Sequence, residues 1–111
     1  MKTNELTGAA LDWAVAKAEG YIGVALEVRT EEWYTPSTDW AQGGPIIERE
    51  CIEIRRSFNS EQGTWQAIRQ QFKNNKNGPT PLIAAMRCYV ASRLGDEVEI
   101  PKELVRVAQS A

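Results

Sequence analysis

The order of apolar and polar positions along this chain predicts two helices and a few short strands, with one long stretch that follows neither period. Residues 6–19, LTGAALDWAVAKAE, set Leu6, Ala9, Ala10 and Trp13 along one helical stripe, with Thr3 or Asn4 as candidate N-cap and Gly20 as the stop. The polar side of this helix is narrow, holding Gly8, Asp12 and Glu19, so the helix is expected to be covered on more than one side. The clearest pattern is PLIAAMRCYVASRL, where Thr80 can cap, Pro81 stands at the first helical position, where its missing N–H costs nothing, and Gly95 closes the far end. Leu82, Ile83, Met86, Tyr89, Val90 and Leu94 make a bulky face; Ala84, Cys88 and Ala91 make a small one that would admit another backbone. This reads as the central buried helix.

Strand signals are shorter. Residues 21–28 are rich in aromatic and β-branched side chains, and Ile52 and Ile54 alternate with Glu53 and Arg55 as in a half-buried strand. The segment 64–72 is ambiguous, because Trp65, Ile68 and Phe72 also fall at helical spacing. Yet SEQG is a plausible loop that would return TWQAIRQQF against CIEIRRSF, and the hairpin is the preferred reading. Beyond Gly95 the sequence gives a short extended piece and a break at Pro101. The expected architecture is α+β: a small antiparallel sheet covered by two main helices, with a long irregular aromatic and Gly-Gly-Pro loop over 33–45. At 111 residues, 42% of them hydrophobic, residues 1–111 make one domain with a modest core.

That loop, with the residues after it, reads WYTPSTDWAQGGPIIERE. Ser37, Thr38 and Asp39 can each turn a side-chain oxygen back to a nearby N–H, so the stretch can fold on itself. Gly43 and Gly44 permit positive φ or close backbone approach, and Pro45 is expected to force an extended exit into Ile46 and Ile47. The glycine spacing and the absence of a following Lys-Ser or Lys-Thr pair set it apart from a phosphate loop. Trp33, Tyr34 and Trp40 bring large area with polar tips, a mix suited either to an interface or to anchoring the loop in the core.

Composition narrows the chemistry. The chain has no histidine, which removes the commonest general base, the commonest metal ligand and the triads built on them. Cys51 and Cys88 stand far apart in no metal or redox spacing, and both read as reduced core thiols. Asp39, Glu48, Glu50 and Glu53 could supply a carboxylate pair only if two of them converge. No cofactor or metal is implied. With a formal charge of −2 there is no overall basic field, and neither a membrane-spanning run nor an apolar leader is visible, so a cytoplasmic protein is expected.

Two local charge features remain. Arg55, Arg56, Arg69, Lys73 and Lys76 concentrate positive charge around the hairpin, either as solvated strand faces or as a nucleic-acid surface. Arg87 is the only charge in the middle of the apolar helix. It can pin a loop through backbone carbonyls, or offer its planar fork to an anion, in a site where it converges with Ser37, Thr38 and Asp39.

Three stretches, ELTGAALDWAVAKAEG, PSTDWAQGGPIIERE and GPTPLIAAMRCYVASRLGDEVEIP, together resemble the NinX-like family of small proteins of lambdoid phages and prophages. The resemblance covers nearly the whole chain, with residues 55–77 least distinctive. It implies an accessory product made inside an infected bacterial cell, from a region associated with phage DNA metabolism and late-expression control, and it carries no catalytic residue over. Three functions compete: a non-enzymatic module that binds a phage or host protein through Trp33, Tyr34, Ser37, Thr38, Asp39, Trp40, Gly43 and Gly44; a small-ligand or enzymatic site joining that loop to Arg87; and nucleic-acid binding through Arg55, Arg56, Arg69 and Lys73.

Overall fold

The structure, a computed structural model, describes residues 1–20, 34–57, 64–69 and 74–100. The expected strand at 21–28, Trp33 and Lys73 lie outside them. A short 3-10 turn, Thr3–Glu5, leads into α1 (Gly8–Ala18); α2 (Trp40–Glu50), the strands β1 (Glu53–Arg56), β2 (Trp65–Arg69) and β3 (Asn74–Gly78), and α3 (Pro81–Leu94) follow. The strands form an antiparallel meander in the order β1-β2-β3. The α+β class, the sheet and the two expected helices are all present.

The central helix is built as its sequence implies. Thr80 accepts a hydrogen bond from Ile83 N–H at 3.1 Å, Pro81 opens the first turn, and Gly95 closes the helix at a positive φ of 92°. α3 packs on all three strands and also meets α1 and α2, so it is the hub of the core. Its small face meets β3: a Cβ on Gly78 would lie 2.7 Å from the Ala84 backbone nitrogen, and Cys88 Sγ sits 3.8 Å from the Asn74 carbonyl. Such close approach of helix and strand needs small side chains on both sides. α1 is covered on several sides as expected, with Ala10 to Ala16 buried without interruption. Its N-cap is Thr7 rather than Thr3 or Asn4, because Thr3 is buried and directs its hydroxyl to the Gly95 carbonyl at 2.7 Å.

Residues 65–69 take the hairpin alternative. Ile54 lies opposite Ala67, and Ala67 opposite Lys76, so Ala67 is fully buried on the face under α3 while Arg55, Gln66 and Asn75 alternate onto the other face. β3, NNKNG, carries no strand signal of its own and is recruited by pairing with β2 and by contact with α3.

The second half of the expected irregular loop is helical. Asp39 N-caps α2 by accepting from Ala41 N–H at 3.0 Å, which starts the helix at Trp40. Pro45 sits inside it, and Ile46 and Ile47 continue the helix instead of leaving in an extended chain. Proline normally excludes the helical conformation from the residue before it by crowding that residue's Cβ, and Gly44 has none. Gly43 also belongs to the helix, where an added Cβ would run into the Pro36 carbonyl and the Leu82 side chain. Gly43 therefore lets the helix lie against its neighbours, and Gly44 lets it run on into Pro45.

Candidate functional site

The described part of the loop and the start of α2 form one polar corner. The Asp39 carboxylate caps α2 with Oδ1 and accepts from Gln42 Nε2 at 3.1 Å with Oδ2, while Gln42 Oε1 accepts from Thr35 N–H at 2.8 Å. The turn is thereby locked to the first turn of the helix. Pro36 and Ser37 are buried, Thr38 is exposed, and Tyr34 packs partly against the core. Trp40, held on this frame, is 55% exposed and is the one large hydrophobic side chain exposed among the described residues.

Beneath the corner lies Asp12, on α1. Sequence periodicity puts it on the solvated side of that helix, but it is only 3% exposed, and its Oδ1 accepts from Ser37 N–H at 2.8 Å. Burial pushes its carboxyl up to about 6, with hydrogen bonding from Ser37 working in the opposite direction. Ser37 Oγ is buried beside this contact, with no hydrogen-bond partner of good geometry among the described residues. The sequence holds a hint of this in hindsight: Asp12 sits among Leu11, Trp13, Ala14 and Val15, where α1 is apolar nearly all round.

At the other end of α2 lies a charge network that the sequence did not reveal. Glu50 is buried and accepts from Arg49 Nε at 2.6 Å and from Arg69 Nη2, while Arg69 also donates to the Glu50 carbonyl at 3.2 Å and to Ser92 Oγ at 2.7 Å. Arg49 bridges to both oxygens of Glu19 at 3.0 Å and to Tyr89 Oη at 3.2 Å, and Tyr89 donates to Glu19. Burial alone would raise the Glu50 carboxyl, but the hydrogen bond from Arg49 and the charges of Arg69, Arg49 and Arg93 outweigh it and hold it below the usual carboxylate range. The network ties α1, α2, β2 and α3 together.

Two expectations are corrected here. Arg69, read as part of a solvated or nucleic-acid-facing strip, is only 8% exposed and committed to Glu50; of that set, Arg55 and Arg56 are exposed on β1, where Arg55 lies near Glu53 and Arg56 lies over the Trp65 ring. Cys51, read as a core thiol, is exposed as the left-handed cap of α2, while Cys88 is buried, which pushes its thiol up to about 11.

Arg87 joins other partners than the corner. Its Nε donates to the Leu6 carbonyl at 2.8 Å and its Nη1 to the Asn77 carbonyl at 2.9 Å, clipping the N-terminal turn to β3. It lines a hollow with Asn4, Thr64 and residues 75–79, and none of residues 34–45 contributes to that lining. Ser37, Thr38, Asp39, Trp40, Gly43 and Gly44 share one corner, and Arg87 belongs to another.

The family model described as "Bacteriophage P22, NinX" matches residues 2–93, which take in α1, the corner, the sheet and nearly all of α3. The chain belongs to this family. Membership places it among phage accessory proteins, in agreement with the resemblance carried by its three characteristic stretches. A comparison with curated proteins gives no match. No helix among the described residues is long and apolar enough to cross a membrane.

Proposed function

We propose that this NinX-family chain is a non-enzymatic interaction module that works in the cytoplasm of the infected bacterium and grips a phage or host protein through the Trp40 corner. The observation that carries this reading is the indole of Trp40, left more than half exposed on a frame that Asp39, Gln42 and Thr35 hold rigid. Exposed tryptophan on a preorganised support has the makings of a binding hot spot: it offers large area to a partner and loses little conformational freedom on binding. Thr38 and Asp39 beside it supply polar groups for a rim. The two acidic groups whose surroundings most alter them, Asp12 and Glu50, are both buried and spent on Ser37 N–H and on arginines, which favours a structural use of each over a catalytic one.

Affinity capture from lysate of phage-infected cells, quantified by mass spectrometry for the wild type and Trp40→Ala in parallel, tests the reading. The expected result is a protein enriched by the wild type and lost by the variant while the circular dichroism of the two chains coincides. Equal enrichment by both would contradict it.

A further inference from the structure

The hollow along β3 has the makings of a second, independent site. β3 is the last of the described strands in the meander, so one of its edges has no described strand beside it. Along it runs a cavity of about 400 Å³, bounded by Asn4 on the N-terminal turn, Thr64, residues 75–79 and Arg87. That size lies within the range of small-ligand pockets.

Its lining is uneven in charge. Lys76 and Arg87 contribute two cations, and no acidic side chain stands among the eight lining residues. Arg87 is half-buried on a helix whose other mid-helix residues are apolar or small, and no carboxylate among the described residues pairs with it. Burial lowers its pKa, a sign that the charge is imperfectly compensated. The Leu6 and Asn77 carbonyls fix two corners of the guanidinium and leave Nη2 without an acceptor among the described residues. Lys76 is held by Asp96 at 3.1 Å, but the Asp96 side chain is 79% exposed, so this ion pair is weak and easily exchanged.

The rest of the lining selects the body of a ligand. Asn4 borders the hollow beside the 75–79 stretch, whereas the Asn75 and Asn77 side chains stand on the other face of the sheet from Lys76, and the Asn75 carbonyl accepts there from Gln66 Nε2 at 2.9 Å. No aromatic ring stands among the described lining residues, so a nucleobase would find nothing there to stack on. Hydroxyl groups, which both donate and accept, suit the Asn4 carboxamide and the backbone groups of the β3 edge.

We infer that this hollow binds a small hydroxyl-rich anion, a phosphate or carboxylate group on a sugar-like body, with Arg87 and Lys76 taking the charge and Asn4 and the backbone edge of β3 the hydroxyls. The site is separate from the Trp40 corner, and its existence does not depend on the interaction proposed there.

Titration of the ¹⁵N-labelled chain with ribose 5-phosphate, gluconate, ribose and a single-stranded oligonucleotide, followed by NMR, tests the inference. Saturable shifts confined to the amides of 75–78 and to Arg87 Nε are expected with one or both anions and not with ribose. The stronger of the two anions identifies the charged group. Lys76→Ala should weaken that binding about tenfold with no change in melting temperature, because it removes one charge-assisted contact and only an exposed ion pair. Arg87→Lys should abolish it, and since that change also disturbs the clip to Leu6, Asn4→Ala, at an exposed lining residue, serves as a second, milder variant that should weaken binding without unfolding. Shifts that grow linearly with either anion, affinity unchanged in both Lys76→Ala and Asn4→Ala, or tighter binding of the oligonucleotide at the same amides would overturn the inference.

Discussion

Arg69 and Glu50, nineteen residues apart, form a buried ion pair in which the guanidinium also donates to the glutamate's own carbonyl, so a single side chain fixes both the end of α2 and its carboxylate. With side-chain exposures of 10% and 7%, neither charge has much access to water. Removing one partner strands the other. Glu50→Gln is expected to cost about 3–5 kcal/mol, and a double replacement of Glu50 and Arg69 by leucine and methionine to recover most of that loss, since a buried pair contributes little relative to apolar packing but is costly to break. Urea unfolding of the three proteins measures both effects.

Asp12 gives the stability a pH dependence of unusual sign. Its carboxyl moves from an ordinary 3.8 to about 6 on folding, so the folded chain binds more protons than the unfolded one between those values. Stability from this group is therefore present in full below about pH 4 and is lost as pH rises through 6, by at most about 3 kcal/mol at 1.36 kcal/mol per pH unit. Asp12→Asn keeps an oxygen for Ser37 N–H and removes the charge. It should be more stable than the wild type at pH 7, with the advantage shrinking to near zero at pH 4. Thermal melts across that range follow the difference. Glu50 acts oppositely, its contribution being present above the ordinary glutamate range and lost as pH falls through the lower folded value, so wild-type stability should decline again in strong acid.

Adjacent glycines in α2 should respond differently to the same change. Gly43→Ala drives a methyl into the Pro36 carbonyl and Leu82, a conflict expected to cost about 1–3 kcal/mol. Gly44 faces open space, and there the helical preference of alanine, about 1 kcal/mol, is set against the crowding that a Cβ brings just before Pro45. Its alanine variant should stay within about 0.5 kcal/mol of the wild type. Paired denaturation curves decide the ordering.

The same residues show what was legible in the sequence. α3 could be read because Thr80, Pro81 and Gly95 each act locally and agree with the apolar pattern between them. α2 could not, because its permission to be helical lies in contacts distant in sequence: Gly43 is small to fit against Leu82, a residue of α3. β3 could not either, since Asn, Lys and Gly have no strand preference and the pairing with β2 supplies it. At the corner, the capping capacity of Asp39 and the aromatic area of Trp40 are legible in the sequence, while which way Trp40 faces is not. Arg87 was visible as an anomaly on an apolar helix, but one of its acceptors, the Leu6 carbonyl, lies 81 residues away. Asp12 and Arg69 were misplaced because a charged residue is normally solvated, and only the assembled fold brings Ser37 N–H and Glu50 to them.

The central claim is that Trp40 is a contact residue and not a structural one. Its most direct test is the equilibrium dissociation constant of the captured partner for the wild type and for Trp40→Ala, measured by calorimetry on folded chains of equal melting temperature. A hot-spot indole predicts a rise of at least about 30-fold, corresponding to about 2 kcal/mol. A constant that changes by less than about twofold, under 0.5 kcal/mol, would contradict the account.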